Sequence, residues 1–440
     1  MKHKIFSTSI LAILLGCYSL QAQEPESFRT TFPSALSVAH TWNRSLAKKA
    51  GQMVGEQMRK EGITETTAPN LTVIKPGDTR NLLPFYGESP YLTAETGVEM
   101  VKGLQNKGQL KAFICFDKKE VSAPYVRPFE RVLTEAHAAG IATNEQIKGT
   151  TTFGQTSANV SDEFKKTALQ VAHESIVLLK NAGNVLPVDT AWVKHVAVSG
   201  DTDLATCMTN CLKTTLPCTV TQTDKTENAA QADLILVFED DVIDQERIKE
   251  LMLSGRPVVL ILLNSRPVAL KEAGKAAAII EAWHPGQQGI QALADILSGT
   301  YNPGGKLAVT FPDYAFGHGL SYTDFSYSNL RIEPSSITPE GSVTVRFNVT
   351  NTGQRAGAEV VQVYLEDEKS SVPLQSPKLE ACKRTNIQPG QTKEVKFTIR
   401  HRNMVLLDKT GKWTVEPGFF TVRVGSGSCD IRLQSRFEVK

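Results

Sequence analysis

Residues 234–244 read Leu-Ile-Leu-Val-Phe-Glu-Asp-Asp-Val-Ile-Asp, an apolar run that empties directly into carboxylates. The run from Ala232 to Phe238 predicts a buried strand. Carboxylates at the carboxyl end of a parallel strand stand where open α/β sheets bind ligands. Close like charges raise the pKa of one member, which suits a proton donor. Glu239, the first acidic residue after the strand, is the candidate acid, with Asp240 and Asp241 beside it. The same residues also read as a solvated acidic turn capping a helix from Gln245 to Leu253. Both readings stay open at this point. Cys207, Cys211 and Cys218 cluster without a histidine at zinc-site spacing, so structural or free thiols are expected. Cys382 and Cys429 share the last domain and can pair. Phosphate-loop, dinucleotide and metal motifs are absent from the sequence, so no cofactor and no metal is expected.

The elements that must position these groups follow from patterning. The 440 residues suit two to three domains, and a formal net charge of +2 gives no reason to expect nucleic acid as a partner. Met1 to Ala22 reads as a secretory signal peptide, with Lys2 and Lys4 ahead of an apolar run. Leu14-Leu15-Gly16-Cys17 resembles a lipoprotein box, which would place a lipid anchor at Cys17; cleavage near Ala22 would instead release a soluble chain. Export is expected either way, to the periplasm, the outer membrane or the exterior.

Residues 24–141 look α/β, with helices at Ser45–Glu61, Tyr91–Gln105 and Pro128–Ala139 and a strand at Lys111–Phe116. Residues 142–160 read as a polar linker. Residues 161–325 alternate helices with short buried strands (Val196–Ser199, Leu234–Phe238, Val258–Leu263), the pattern of a largely parallel sheet covered on both faces. Within them, Ala168–Pro187 reads as one amphipathic helix capped by Ser161-Asp162, with Lys180 and Asn181 fixing its end. From 332 to 440, short β-rich runs between Gly and Pro turns predict an antiparallel sandwich.

Several stretches, in order, resemble one family. Besides Ala168–Pro187, they are Phe32-Pro33-Ser34 with Thr41-Trp42-Asn43, Tyr86-Gly87-Glu88-Ser89-Pro90-Tyr91-Leu92, and Glu281-Ala282-Trp283-His284-Pro285-Gly286-Gln287. Asn302-Pro303-Gly304-Gly305-Lys306-Leu307, Phe311-Pro312 and Phe316-Gly317-His318-Gly319-Leu320-Ser321-Tyr322 follow. All are similar to segments of glycoside hydrolase family 3, and Asn351-Thr352-Gly353 with Pro417-Gly418 resembles its fibronectin-III-like module. The resemblance implies a multidomain α/β plus all-β protein: a partial (β/α) barrel, an α/β/α sandwich and a fibronectin-III-like β-sandwich. It also implies retaining hydrolysis of β-glucosides or β-xylosides, with an oligosaccharide or β-glycoside as ligand. That chemistry needs an ionised nucleophile and a protonated acid roughly 5–5.5 Å apart.

The same resemblance locates losses. The family's nucleophile is an aspartate in a Ser-Asp-Trp segment late in the barrel, but here His137-Ala138-Ala139-Gly140 leads straight into the linker. The chain's one Ser-Asp pair, Ser161-Asp162, precedes Glu163 and reads as a helix cap. Ile114-Cys115 stands where the family has a sugar-gripping Lys-His pair. Arg80, in Asp78-Thr79-Arg80-Asn81, is what remains of an Arg-Trp-Gly-Arg segment. The family's acid belongs to the loop contracted here to Glu239–Asp244. Glu239 is therefore the candidate catalytic acid, no nucleophile is found, and Arg80, Asp240, Asp241, Trp283 and His284 are candidate substrate contacts. Trp283 can stack on a sugar or pack between domains; His284 and His318 occupy aromatic positions of the family motifs. A whole barrel takes roughly 250 residues, and about half that precedes the linker.

Two readings result. The chain is an exported family 3 β-glycosidase homologue that still cleaves its substrate, or an inactive relative that binds carbohydrate or a protein. The residue inventory favours the second; the oligomeric state stays open.

Overall fold

The computed structural model describes residues 32–66, 69–106, 110–112, 160–200, 202–372 and 377–440. The signal peptide expected over 1–22, Cys17, Ile114-Cys115, the helix expected over 128–139 and nearly all of the expected linker lie outside these residues.

The amino-terminal segment is built from capped helices. Ser34 Oγ accepts from Ser37 N at 3.1 Å to open α1 (Ala35–His40). Asn43 Oδ1 accepts from Leu46 N to open α2 (Arg44–Lys60). β1 (Glu65–Thr66) follows, then α3 (Pro90–Leu104), capped by Ser89 with Pro90 in its first turn, and β2 (Lys111–Ala112), which pairs in parallel with β1. A methyl group on Gly51 would run into Met100 O, and one on Gly103 into Lys48 O, so α2 and α3 cross at backbone contact. The segment's apolar side is covered: Phe32, Trp42 and Leu46 share a core with Phe164, Ala168 and Val171 of the next helix and with Val360, Tyr364 and Leu379 of the last domain.

The sandwich begins with α4 (Asp162–Ser175), capped by Ser161, whose Oγ accepts from Phe164 N at 3.2 Å. The single helix expected across Ala168–Pro187 is corrected here. The helix stops at Ser175, and Val177–Asn181 is a strand, β3. Leu178 faces one core of the sheet while Val177 and Leu179 face the other. A run buried on both sides suits a covered strand, where a helix would keep its apolar residues on one stripe. Lys180 and Asn181 accordingly brace the strand's exit: Lys180 Nζ donates to Gly274 O at 2.9 Å, and the Asn181 amide bonds both N and O of Leu186.

β4 (His195–Ser199), α5 (Asp203–Thr215), β5 (Thr219–Thr223), α6 (Thr226–Ala229), β6 (Leu234–Glu239), α7 (Gln245–Leu253), β7 (Val258–Leu262), β8 (Ala278–Glu281) and α8 (Gly289–Ser298) complete the sandwich. The sheet order is β3-β8-β7-β6-β4-β5, parallel throughout except for β3, which runs antiparallel to β8. Met208 and Leu212 of α5 pack on one face with Leu293 and Leu297 of α8; Ile248 and Leu251 of α7 pack on the other.

The last domain holds β9 (Phe325–Glu333), β10 (Ser336–Ile337), β11 (Ser342–Asn351), β12 (Gly357–Asp367), β13 (Lys378–Ile387), β14 (Thr392–Arg400), β15 (Leu406–Leu407), β16 (Trp413–Thr414), β17 (Gly418–Gly427) and β18 (Asp430–Val439). Sheets β10-β18-β17-β12-β13 and β14-β11-β9 close on alternating residues such as Val343, Val345, Phe347, Val361 and Val363. β12 is buried on its other face as well: Val360 and Tyr364 enter the amino-terminal core, and Gln362 Nε2 donates to Gly317 O at 3.0 Å. Cys382 and Cys429 are both free thiols, so the pairing open to them is not made.

Candidate active site

Glu239 closes β6. It lies across the ladder from Leu262 of β7, which in turn lies across from Glu281 of β8. Residues in register on parallel strands point to one face, so the two glutamates flank Leu262 with roughly 10 Å between their backbones. Glu239 is only 9% exposed. Its Oε2 accepts from Asp244 N at 3.0 Å, while Oε1 is buried without a hydrogen-bond partner among the described residues. Burial pushes its carboxyl above the usual carboxylate range; the Asp244 N–H and the Arg247 charge pull it down, and Asp244 and Asp240 push it up. Asp244 caps α7 by accepting from Arg247 N at 3.0 Å. The Arg247 guanidinium donates through Nη2 to Ser199 O at 2.6 Å and Ser199 Oγ at 3.0 Å, and its Nη1 stands 4.0 Å from Glu239 Oε1.

Asp240 turns outward and accepts from Val242 N at 3.0 Å. The Asp241 carboxylate accepts from Ser265 N at 2.7 Å and Ser265 Oγ at 2.6 Å. Ser265 O accepts from Leu82 N at 2.8 Å, and Arg266 Nη1 donates to Thr79 O at 3.3 Å. The loop after β7 thus ties the acidic turn to the segment that carries Arg80. Arg80 itself grips both oxygens of Asp78 at 3.1 and 3.0 Å through Nε, with its guanidinium 5.5 Å from the Phe85 ring centre. That contact holds the Asp78 carboxyl below its ordinary value.

The other candidates sit deeper. Glu281 is fully buried; its Oε1 accepts from Trp283 N at 2.8 Å, and Asn264 lies against it. Burial holds this carboxyl well above the usual range, and nearby Asp241 adds to the shift. Trp283, at φ 53°, has no exposed surface: its ring centre is 4.8 Å from the His40 ring and 5.5 Å from Phe311. His284 O accepts from Ser34 N at 3.1 Å and Ser37 Oγ at 3.2 Å, which seats α1 on the sheet. His318 donates from Nε2 to Leu179 O at 2.9 Å and stacks on Tyr314.

The structure therefore gathers Glu239, Asp240, Asp241 and the Arg80 loop along one sheet edge, and places Trp283 and His284 beneath α1. Ser199 and Arg247 are part of the Glu239 site that sequence reasoning missed; Arg247 carried only the signal of a helix position three residues after its cap. Burial raises the Glu239 carboxyl, and its Oε1 has no hydrogen-bond partner among the described residues. Among the described residues no cluster of three or more His, Cys, Asp or Glu side chains is arranged to hold a metal ion.

Residues 21–124 match the glycosyl hydrolase family 3 N-terminal domain, 176–341 its C-terminal domain, and 359–428 a fibronectin type III-like domain. A β-xylosidase of Formosa agariphila is 23% identical over a 628-residue alignment covering 91% of this chain and 86% of that protein. Against the chain's 440 residues, those 628 positions leave at least 188 with no counterpart here, all internal to the alignment. A periplasmic β-glucosidase of Salmonella typhimurium is 34% identical over 234 residues, 44% of this chain and 30% of that one. In fold, the crystal structure of a β-D-glucoside glucohydrolase from Trichoderma reesei aligns with a TM-score of 0.78 at 20% identity, over 94% of this chain and 91% of that one. With the family's amino-terminal, carboxyl-terminal and fibronectin-like parts in their usual order, this chain belongs to glycoside hydrolase family 3 and is similar to β-glucosidases and β-xylosidases.

Proposed function

We propose that this chain binds β-linked glucosyl or xylosyl residues at the carboxyl edge of its sandwich and does not hydrolyse them at an enzymic rate. The observation that carries this reading is that, among the described residues, the carboxyl groups around Glu239 are taken up in the fold: Asp240 accepts from Val242 N, and Asp244 accepts from Arg247 N as the cap of α7. A retaining pair needs two carboxyls roughly 5–5.5 Å apart, one of them ionised. The other glutamate on Glu239's sheet face, Glu281, is fully buried, bonded to Trp283 N and held toward its neutral form. Asp241 is bonded twice by Ser265, and Asp162 of the one Ser-Asp pair is exposed at the start of α4. Losing a catalytic unit of this kind costs on the order of 10⁴–10⁶ in rate.

A second reading, a working β-glycosidase, draws on Glu239 itself, whose raised carboxyl suits a general acid. Turnover of aryl β-glucoside and aryl β-xyloside decides between them. The binding reading expects no release above background, with disaccharide binding retained. Release abolished by Glu239→Gln would establish the hydrolytic one. The apolar amino terminus with its Leu-Leu-Gly-Cys stretch supports export, to be tested by locating the full-length chain in cell fractions.

A further inference from the structure

The strand order of the sandwich reverses between β4 and β6, since the chain leaves β4 through α5 on one face and β6 through α7 on the other. Open α/β sheets bind ligands in the crevice that such a reversal opens. Ser199 ends β4 on one lip, Glu239 ends β6 on the other, and Arg247 reaches between them. Its Nη2 is anchored on both Ser199 oxygens, which leaves Nη1 4.0 Å from Glu239 Oε1. That gap is too long for a direct hydrogen bond. One oxygen about 2.8 Å from each atom spans it, accepting from the guanidinium and donating to the carboxylate. Among the described residues Oε1 has no hydrogen-bond partner, although the Glu239 side chain is more than nine-tenths buried.

The geometry points to a hydroxyl-binding subsite formed by Glu239, Arg247 and Ser199, which takes a neutral sugar ring by one of its hydroxyl groups. This rests on the reading that the chain binds β-glycosides, and names the contact that would hold them. Charge selects the ligand class. An anion meets Glu239, Asp240 and Asp244, and a cation meets Arg247. A hydroxyl satisfies acceptor and donor together. Arg247 is thus a positioning residue, fixed by Ser199.

Titration calorimetry of the full chain with cellobiose and xylobiose, and with sulfate as an anionic probe, tests the assignment. Wild type is expected to bind a disaccharide and to bind sulfate more weakly. Arg247→Ala and Glu239→Gln should each weaken disaccharide binding at least about tenfold, the scale of one charge-assisted hydrogen bond. Circular dichroism melting checks that each variant is folded. Should Arg247→Ala not fold, Arg247→Lys carries the test, since an ammonium cannot hold Ser199 and a ligand hydroxyl as a fork does. Undiminished sugar binding in the folded Arg247 and Glu239 variants overturns the subsite and leaves the β-glycoside reading standing. Sulfate binding tighter than disaccharide binding, lost with Arg247, overturns the neutral-sugar assignment. Absence of disaccharide binding by wild type overturns both readings.

Discussion

Arg384 Nε lies 3.1 Å from Glu174 Oε2, and each side chain is at least nine-tenths buried. The pair is the point where three parts of the molecule meet. Asn43, the cap of α2, donates to the same carboxylate oxygen at 2.9 Å, and Gln170 of α4 donates to the other at 3.0 Å. From β13, Arg384 also donates to Gly304 O at 2.7 Å and Thr41 O at 3.3 Å. Removing one partner leaves a buried charge uncompensated, so Arg384→Met should cost about 3–5 kcal/mol. Adding Glu174→Leu should return part of that loss. Urea unfolding of the two variants checks both statements, and equal stability of wild type and Arg384→Met would contradict the first.

The foot of α1 should carry a pH dependence with two limbs. His40 is wholly buried, with Nδ1 2.7 Å from Leu36 O; a carbonyl only accepts, so Nδ1 carries the hydrogen and the ring is neutral. Burial lowers its pKa from 6.5 to about 3. The unfolded chain binds that proton more readily, so this stabilisation is complete above pH 6.5 and is lost as pH falls toward 3, on the order of 5 kcal/mol in all. His40→Gln should flatten the acid limb in melts recorded across that window.

Glu281 has the opposite sign. Its carboxyl is raised above 4.5, so the folded chain holds the proton more tightly than the unfolded one. Its contribution is complete below pH 4.5 and declines as pH rises above it, through the folded value. Glu281→Gln keeps the shape without the ionisation. It should melt higher than wild type at about pH 8, by a few degrees per kcal/mol recovered. A variant that melts lower at every pH would contradict this.

Thiol labelling of the native chain should separate the last domain's cysteines. Cys429 is exposed, whereas burial pushes the Cys382 thiol up to about 12 and leaves almost no thiolate to react. Peptide mapping after brief alkylation should find Cys429 modified and Cys382 protected until urea is added. Early modification at Cys382 would refute this.

Local pattern was legible where one face decides the element. The helix read at Ser45–Glu61 is Arg44–Lys60, and the strand read at Val258–Leu263 is Val258–Leu262. It failed at Ile176–Asn181, because a short apolar run leaves helix and covered strand undistinguished until the second layer is present. Glu239 was legible as the first carboxylate past a strand, and Asp244 as a cap. Arg247 and Ser199 were not, because their meeting depends on β4 and β6 lying side by side. Trp283 likewise read as either a sugar-stacking or a packing ring, and the contacts of His40 and Phe311 show it fully covered.

The central claim is that no carboxylate of this chain attacks a bound sugar. Intact-mass spectrometry after long incubation with an activated 2-deoxy-2-fluoro-β-glucoside and the matching β-xyloside tests it directly, because a retaining nucleophile would hold the glycosyl group covalently. The expected result is an unchanged protein mass with either reagent. A mass increase of one fluoroglycosyl group, mapped to any aspartate or glutamate, would contradict the account.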